Sequence, residues 1–165
     1  MTEPAAAQAT VREAGAEDVG GVATAVESLL AELGGRMPSR AEMEAEVQAL
    51  LDDPQGGSAL IAEADGMIVG VLTASWQRAI HVPGVYATVQ DLWVDEGWRS
   101  RGVGAELVEA IASQARTRGV SRLEVGLPRE TFAAIASTES FYRRNGFEPL
   151  GPRMRRLLDG DGESG

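Results

Sequence analysis

A glycine-rich turn between a strand and a helix, at residues 87–105, constrains the fold of this chain more than any other feature. Its sequence is ATVQDLWVDEGWRSRGVGA. The β-branched and aromatic run that ends at Val94 predicts a strand, and the acidic cluster at 95–97 predicts a turn. The segment Arg99-x-x-Gly102-x-Gly104 then opens a helical pattern. Such a turn presents unpaired backbone N–H groups and the positive end of a helix dipole, which together favour a phosphate group.

Two familiar phosphate loops do not match this turn. A dinucleotide-binding loop needs a third glycine three residues after Gly104, and that position is Leu107. A mononucleotide P-loop needs lysine and serine or threonine after its second glycine, whereas Ala105 and Glu106 follow Gly104. The turn therefore predicts a phosphate site of another kind.

The stretch from Leu92 to Ala105 resembles the acyl-CoA pyrophosphate loop of the GNAT superfamily of N-acetyltransferases, with its Arg/Gln-x-x-Gly-x-Gly/Ala signature. A second stretch, FYRRNGF at 141–147, resembles the family's Phe-Tyr-x-x-x-Gly-Phe segment. The resemblance extends over residues 58–150. It implies an acyltransferase that moves an acetyl group from acetyl-CoA to a primary amine, by direct attack in a ternary complex and without a metal.

The resemblance also assigns cofactor-binding residues. Those of the strand end, the loop and the helix start are Leu92, Trp93, Val94, Arg99, Ser100, Arg101, Gly102, Val103, Gly104 and Ala105. The family usually has an asparagine seven residues before its tyrosine, and here that position is Ile135. Ser137 or Ser140 is expected to replace the lost contact with CoA.

Tyr142 matches the family's tyrosine that protonates the leaving thiolate. An unperturbed phenol has a pKa of about 10, so it is protonated at neutral pH and can act as a general acid. The alternative role for Tyr142 is packing beside Phe141 in the core.

The general base is left open by the sequence. Asp91 is the first candidate, because it lies with Gln90 on the central strand close to the expected thioester; Glu124 on the next strand is the second. The reaction needs no base if the amine is already partly neutral. Trp76, His81 and Tyr86 are expected to border the acceptor side.

Hydrophobic periodicity predicts helices at about 17–33, 39–52, 102–118 and 140–144, with strands between them. The Asp65-Gly66 pair predicts a hairpin, Gln77 to Gly84 a loop or strand break, and 120–127 a strand parallel to the central one. The expected order is β-α-α-β-β-β-α-β-α-β, ending in an extended segment from Phe147 to Leu158. This is an α/β (α+β) fold with a mixed, mostly antiparallel, GNAT-like sheet that has helices on both faces.

Length and composition set further limits. The 165 residues suit a single domain at 10–158, with flexible tails at 1–9 and 159–165, the second one acidic. The absence of cysteine and the single histidine exclude a cysteine nucleophile and thiolate or histidine-rich metal sites. A net charge of −10 disfavours nucleic acid and mildly favours a cationic acceptor.

The chain has no run of 18 apolar residues, and its first residues lack the pattern of a signal peptide. We therefore expect a cytoplasmic protein with no membrane partner. The acceptor is expected to be a small-molecule amine or a protein amino group, and the family analogy leaves a homodimer open. The alternatives are a non-catalytic acyl-CoA binding or sensing domain, and a nucleotide-phosphate binder that uses the same loop.

Overall fold

A five-stranded sheet forms the centre of the molecule. The computed structural model describes residues 7–158, and its strands lie in the order β1-β2-β3-β4-β5. Neighbouring strands are antiparallel except for β4 and β5, which are parallel, so the predicted mixed, mostly antiparallel sheet is confirmed. The strand bounds are Thr10–Glu13, Gly57–Ala64, Met67–Ala79, Val82–Val94 and Leu123–Val125.

Between residues 7 and 158, three α-helices connect these strands and a fourth follows β5, together with short 3-10 turns at Ala16–Asp18 and Glu96–Trp98. Their bounds are α1 Val19–Leu33, α2 Arg40–Asp52, α3 Val103–Thr117 and α4 Ile135–Arg144. The start of α2 shows the predicted capping box: Glu42 N donates to Ser39 Oγ over 3.2 Å, and Ser39 N donates to Glu42 Oε2 over 2.7 Å.

Helices pack on both faces of the sheet because successive strand residues point to opposite sides. Ile61 and Val71 pack with α1 and α2 on one face, while Leu60 and Leu72 pack with α3 on the other. Burial of each such side chain contributes roughly 1.5–3 kcal/mol. The alternation therefore yields two apolar cores from the same strands.

The turns and strand lengths show where local sequence decides the structure. Asp65 and Gly66 have φ of +52° and +75°, which confirms the predicted hairpin. The loop or strand break predicted at 77–84 is a break that is narrower than expected, because β3 runs to Ala79 and β4 starts at Val82, with Gln77 paired to Tyr86. β5 is also shorter than the predicted 120–127, and Gly126 and Pro128 follow it.

The predicted final strand, from Phe147 to Leu158, does not form. Within the described part of the chain, no strand follows α4. Pro149 and Pro152 lack the N–H that a ladder needs, and Gly151 between them weakens an extended segment further. Residues 1–6 and 159–165, which make up much of the predicted tails, lie outside the described residues. Among residues 7–158 no helix is both long enough and apolar enough to cross a membrane.

Candidate active site

The central feature of the site is the part of β4 beyond its last pair with β5, and we call this edge of β4 the opening. The two strands pair only from Ala87 with Leu123 to Val89 with Val125, while β4 continues to Val94. Gln90 forms a bulge at this point, because β3 pairs Ala74 with Val89 and the preceding Thr73 with Asp91. A bulge bends its strand and increases the local twist. β4 therefore continues past the end of β5, with one of its edges outside the pairing to that strand.

The backbone of β4 offers hydrogen-bond donors to this opening. Asp95 N donates to Val69 O of the β3 side over 2.8 Å. Because backbone groups alternate between the two edges of a strand, Trp93 N–H also faces β3, and those of Leu92 and Val94 face the opening. The Trp93 side chain packs in the core beneath α1 and α2. Leu92 and Val94 are thus better placed than Trp93 for the predicted role.

The loop before α3 has the backbone shape of an anion site. Ser100 and Gly102 have φ of +60° and +86°, and left-handed residues of this kind turn successive N–H groups toward one concave side. Nothing lies within 4 Å of the position that a Gly102 Cβ would take. Val103 is buried, so only its backbone can reach a ligand.

Gly104 has a packing role that the sequence did not indicate. A Cβ at Gly104 would lie 3.1 Å from the ring of Phe141. The glycine therefore allows the first turn of α3 to lie directly against α4. A substitution at Gly104 would disturb this contact as well as any bound phosphate.

The two loop arginines have different surroundings. Arg99 Nε donates to Val94 O over 3.1 Å, and its guanidinium forms an ion pair with Glu32 at the end of α1. Arg101 lies over the ring of Trp98, 4.0 Å from the ring centroid, and donates to Ala7 O over 3.0 Å. Arg99 is thus held at the end of β4, and Arg101 is turned toward the segment before β1.

Tyr142 lies on α4 between two other aromatic rings. Its ring centroid is 5.2 Å from that of Phe141 and 5.3 Å from that of Phe147, both in edge-to-face contact. Burial raises the pKa of Tyr142 to about 12, because the phenolate would lose its hydration. The hydroxyl is therefore protonated throughout the neutral range, as a general acid requires.

Ser137 and Ser140 also lie on α4. Ser137 Oγ donates to Ala134 O of the first turn over 2.9 Å. Ser140 is exposed on the helix surface. The role predicted for them in binding CoA stays a prediction.

Asp91 lies half-buried on the opposite face of the sheet from Tyr142. It accepts a hydrogen bond from Thr73 Oγ1 over 2.5 Å. Burial raises the pKa of the Asp91 carboxyl, and the bond from Thr73 partly opposes that rise. A raised pKa brings a carboxylate closer to the range in which a general base works well at neutral pH. Sequence reasoning missed Thr73, because only the register of β3 and β4 reveals this pair.

The other candidates for the acceptor side divide between the two faces. Glu124 lies on the same face as Asp91 and pairs with Arg122 over 2.9 Å, so it is the more engaged of the two acids. Trp76 lies on the opposite face of the sheet from Asp91 and Glu124. Trp76 is buried in the core against α3, with Arg118 over its ring, because it alternates with Ser75 and Gln77 along β3.

Tyr86 and His81 are the remaining candidates for the acceptor side. Tyr86 alternates with Val85 and Ala87, which pack toward α3, so it faces the same side as Asp91. His81 is exposed in the turn between β3 and β4. Among residues 7–158, no group of three or more His, Cys, Asp or Glu side chains could hold a metal ion.

Comparisons with known proteins agree with this geometry. The model of the acetyltransferase (GNAT) family matches residues 25–147. A curated relative, an IAA acetyltransferase of Azospirillum brasilense, is 33% identical over 95 residues. That alignment covers 56% of this chain and 60% of the relative, so the chain matches only part of that protein's length.

Solved structures share the fold at low sequence identity. An integron cassette protein from the mobile metagenome of Cole Harbour Salt Marsh has a TM-score of 0.75 at 24% identity, over 89% of this chain and 88% of that one. An aminoglycoside acetyltransferase from an uncultured soil metagenomic sample, solved with sisomicin, has a TM-score of 0.71 at 18% identity, over 91% and 96%. At these identities the likeness supports the fold alone.

The match of the family model over most of the chain, together with the opening and the loop at its end, shows that this chain belongs to the acetyltransferase (GNAT) family. Acetyl transfer is the activity for which this family is named.

Proposed function

We propose that this protein transfers an acetyl group from acetyl-CoA to a primary amine by direct attack in a ternary complex. The observation that carries the proposal is the opening between β4 and β5, which leads to the left-handed loop at 99–102. Acetyl-CoA, when bound, supplies an acyl group already activated as a thioester. Phe141 and Phe147, whose rings contact Tyr142, pack on the α3 face of the sheet, and Asp91 lies on the other face; we assign the acid to Tyr142 and the base to Asp91.

Backbone groups would hold the extended arm and the phosphates. The N–H groups of Leu92 and Val94 can donate to the thioester carbonyl and to the amides of the arm. The N–H groups around Ser100 and Gly102, with the guanidinium of Arg99, suit the pyrophosphate. This arrangement brings the two reactants together, and such positioning accounts for much of the rate in a direct transfer.

Two side chains would handle the protons. Asp91 would accept the proton that the amine nitrogen loses as it bonds to the carbonyl carbon, directly or through water. Tyr142 O–H would donate a proton to the sulfur as the carbon–sulfur bond breaks. Its pKa of about 12 keeps that proton available throughout the neutral range.

The first experiment is a calorimetric titration of acetyl-CoA into the wild type, Gly102→Glu and Gly119→Glu. Both glycines have left-handed φ, +86° and +71°, with nothing within 4 Å of a Cβ, and they lie at the two ends of α3. The backbone strain of the two substitutions is therefore matched, and only Gly102→Glu places a carboxylate in the loop. We expect micromolar binding by the wild type and Gly119→Glu, and none by Gly102→Glu.

A wild type that does not bind acetyl-CoA would contradict the proposal. If the wild type does bind acetyl-CoA, thiol release is measured next with a panel of primary amines. Binding without thiol release by any amine would instead favour the non-catalytic acyl-CoA binding or sensing domain. Displacement of CoA by ATP would favour a nucleotide binder.

A further inference from the structure

The sheet face on the Asp91 side changes from apolar to polar along its length. Under α1 and α2, Val71 and Trp93 pack in an apolar core. Further along, Ala74, Trp76, Ala87 and Val89 point toward α3, so the side chains between them face the Asp91 side. These side chains, with neighbours from the bulge and from β5, are Ser75, Gln77, Thr88, Gln90, Asp91 and Glu124, and we call them the polar strand face.

The polar strand face holds its own hydrogen bonds and still presents groups to a ligand. Thr88 Oγ1 donates to Gln77 Oε1 over 2.7 Å, and Gln90 Nε2 lies 3.4 Å from Ser75 Oγ. The bond from Thr88 uses the oxygen of the Gln77 amide and leaves its two N–H donors directed elsewhere. The bond from Gln90 leaves its carbonyl oxygen as an acceptor. Both glutamines are exposed, so a bound molecule can reach these groups.

The charges on this face are suited to a cation and to neutral polar groups. Glu124 is paired with Arg122 over 2.9 Å, which leaves Asp91 as the carboxyl of the face without a basic partner among residues 7–158. An alkyl or aryl amine would cover the glutamine amides without replacing their hydrogen bonds to water, which is costly. A ligand with several hydroxyl groups would replace those bonds.

Tyr86 adds a flat surface at the edge of this face. It is paired with Gln77 across β3 and β4 and is half-buried. Aromatic rings with a polar end suit ligands that have one apolar side and several polar groups. A ring that carries hydroxyl groups fits this combination of ring and amides.

We propose that the acyl acceptor is a hydroxylated primary amine of the aminosugar type, selected by Gln77 and Gln90, while the buried Thr88 positions the Gln77 amide. This inference rests on the proposed function and adds the substrate class. Asp91 lies at the end of the face next to the opening, where it meets the amino group. The amides of Gln77 and Gln90 bind the hydroxyl groups further along.

The test compares kcat/KM for glucosamine and for cyclohexylamine in the full-length protein, measured by thiol release. The ratio of the two values is determined for the wild type, Gln77→Leu and Thr88→Val, so intrinsic differences between the amines cancel. We expect each substitution to lower the ratio, Gln77→Leu by about tenfold, mainly through the KM for glucosamine. Gln48→Leu, an exposed glutamine on α2, is the matched control and should leave the ratio unchanged.

Failure of this inference can be told apart from failure of the proposed function. Thiol release that favours cyclohexylamine, or a ratio that Gln77→Leu and Thr88→Val leave unchanged, would overturn the aminosugar class while acetyl transfer stands. The absence of thiol release with either amine, and with a wider amine panel, would overturn both. A thermal unfolding midpoint for each variant separates a loss of fold from a change of specificity.

Discussion

Tyr142 is the residue whose role rests most directly on its surroundings. The chain has two tyrosines and no cysteine, so phenolate absorbance can be followed with little interference. We expect an absorbance change centred near pH 12 that Tyr142→Phe removes, because burial raises the pKa of this phenol. An absorbance change of Tyr142 centred near pH 10, the ordinary pKa of tyrosine, would contradict the buried environment.

The same substitution tests the proposed acid. Tyr142→Phe should lower kcat by roughly 10²-fold or more, a typical effect of losing a general acid, while the Kd for acetyl-CoA stays close to that of the wild type. A thermal unfolding midpoint for Tyr142→Phe, compared with that of the wild type, separates a loss of fold from a loss of the acid. An unchanged kcat in Tyr142→Phe would limit this tyrosine to its packing between Phe141 and Phe147.

The raised pKa also affects stability at high pH. A group whose folded pKa exceeds its unfolded value contributes stability below the unfolded pKa and loses that contribution as pH rises through the folded pKa. For Tyr142 this contribution is lost over a pH window from about 10 to about 12. From the lower to the upper end of this pH window, the denaturant midpoint should therefore decrease more in the wild type than in Tyr142→Phe.

The hydrogen bond between Thr73 and Asp91 predicts the direction in which the pH profile of the reaction shifts when the bond is removed. The hydrogen bond from Thr73 lowers the pKa of Asp91, against the rise caused by burial. Thr73→Val removes that bond, so the acidic limb of the kcat/KM profile should move to higher pH. Glu124→Gln should leave the limb in place if Asp91 is the base. If the acidic limb moves in Glu124→Gln and stays in place in Thr73→Val, then Glu124 is the general base instead of Asp91.

Asp91→Asn should separate activity from stability. Since burial disfavours the ionised carboxylate, the amide should raise the thermal unfolding midpoint at neutral pH. The same change should lower kcat by roughly 10²-fold or more. A lower thermal unfolding midpoint in Asp91→Asn, together with the lower kcat, would indicate a structural role for the carboxylate.

At the scale of elements, α1 and the loop before α3 are joined by one ion pair. Glu32 at the end of α1 holds the guanidinium of Arg99, and the pair is about half exposed. A bound pyrophosphate would compete with Glu32 for the same donors. Because an exposed pair is worth at most about 1 kcal/mol, Glu32→Gln should tighten acetyl-CoA binding by up to about fivefold.

Glu27→Gln is the control for that measurement. Glu27 lies on the same helix and pairs with Arg40 over 3.7 Å. The substitution therefore changes the net charge equally and leaves Arg99 untouched. If calorimetry shows weaker binding in Glu32→Gln, then Glu32 prepares Arg99 for the phosphates instead of competing with them.

For the whole molecule, the net charge of −10 should act on a cationic acceptor over distance. Salt screens such attraction, with a Debye length of about 10 Å at 0.1 M. We expect the KM of a cationic amine to rise a few-fold between about 20 mM and 300 mM NaCl, with little change in kcat. A KM for the amine that is independent of salt would restrict the role of the acidic surface to solubility.

Much of the fold followed from the sequence, although the last part of the chain did not. The strong periodicity of α1, α2 and α3 predicted these helices to within about two residues at each end. The segment from Phe147 to Leu158 was predicted to be an extended final strand, but Pro149 and Pro152 lack the N–H groups that a strand ladder needs. The sequence placed Trp76 near the acceptor without assigning it to a face of the sheet, since the period of a strand alone does not say which side faces α3.

The sequence by itself determined features that depend on neighbours along the chain: the capping box at Ser39, the hairpin at Asp65-Gly66 and the glycine-rich loop before α3. Only the tertiary structure decided the opening beyond Val89, the bond between Thr73 and Asp91, and the ion pair of Arg99 with Glu32. The physical reason is the distance along the chain between the residues that interact. A cap or a turn is set by residues within a few positions, whereas strand register, bulges and long-range pairs depend on how distant segments pack.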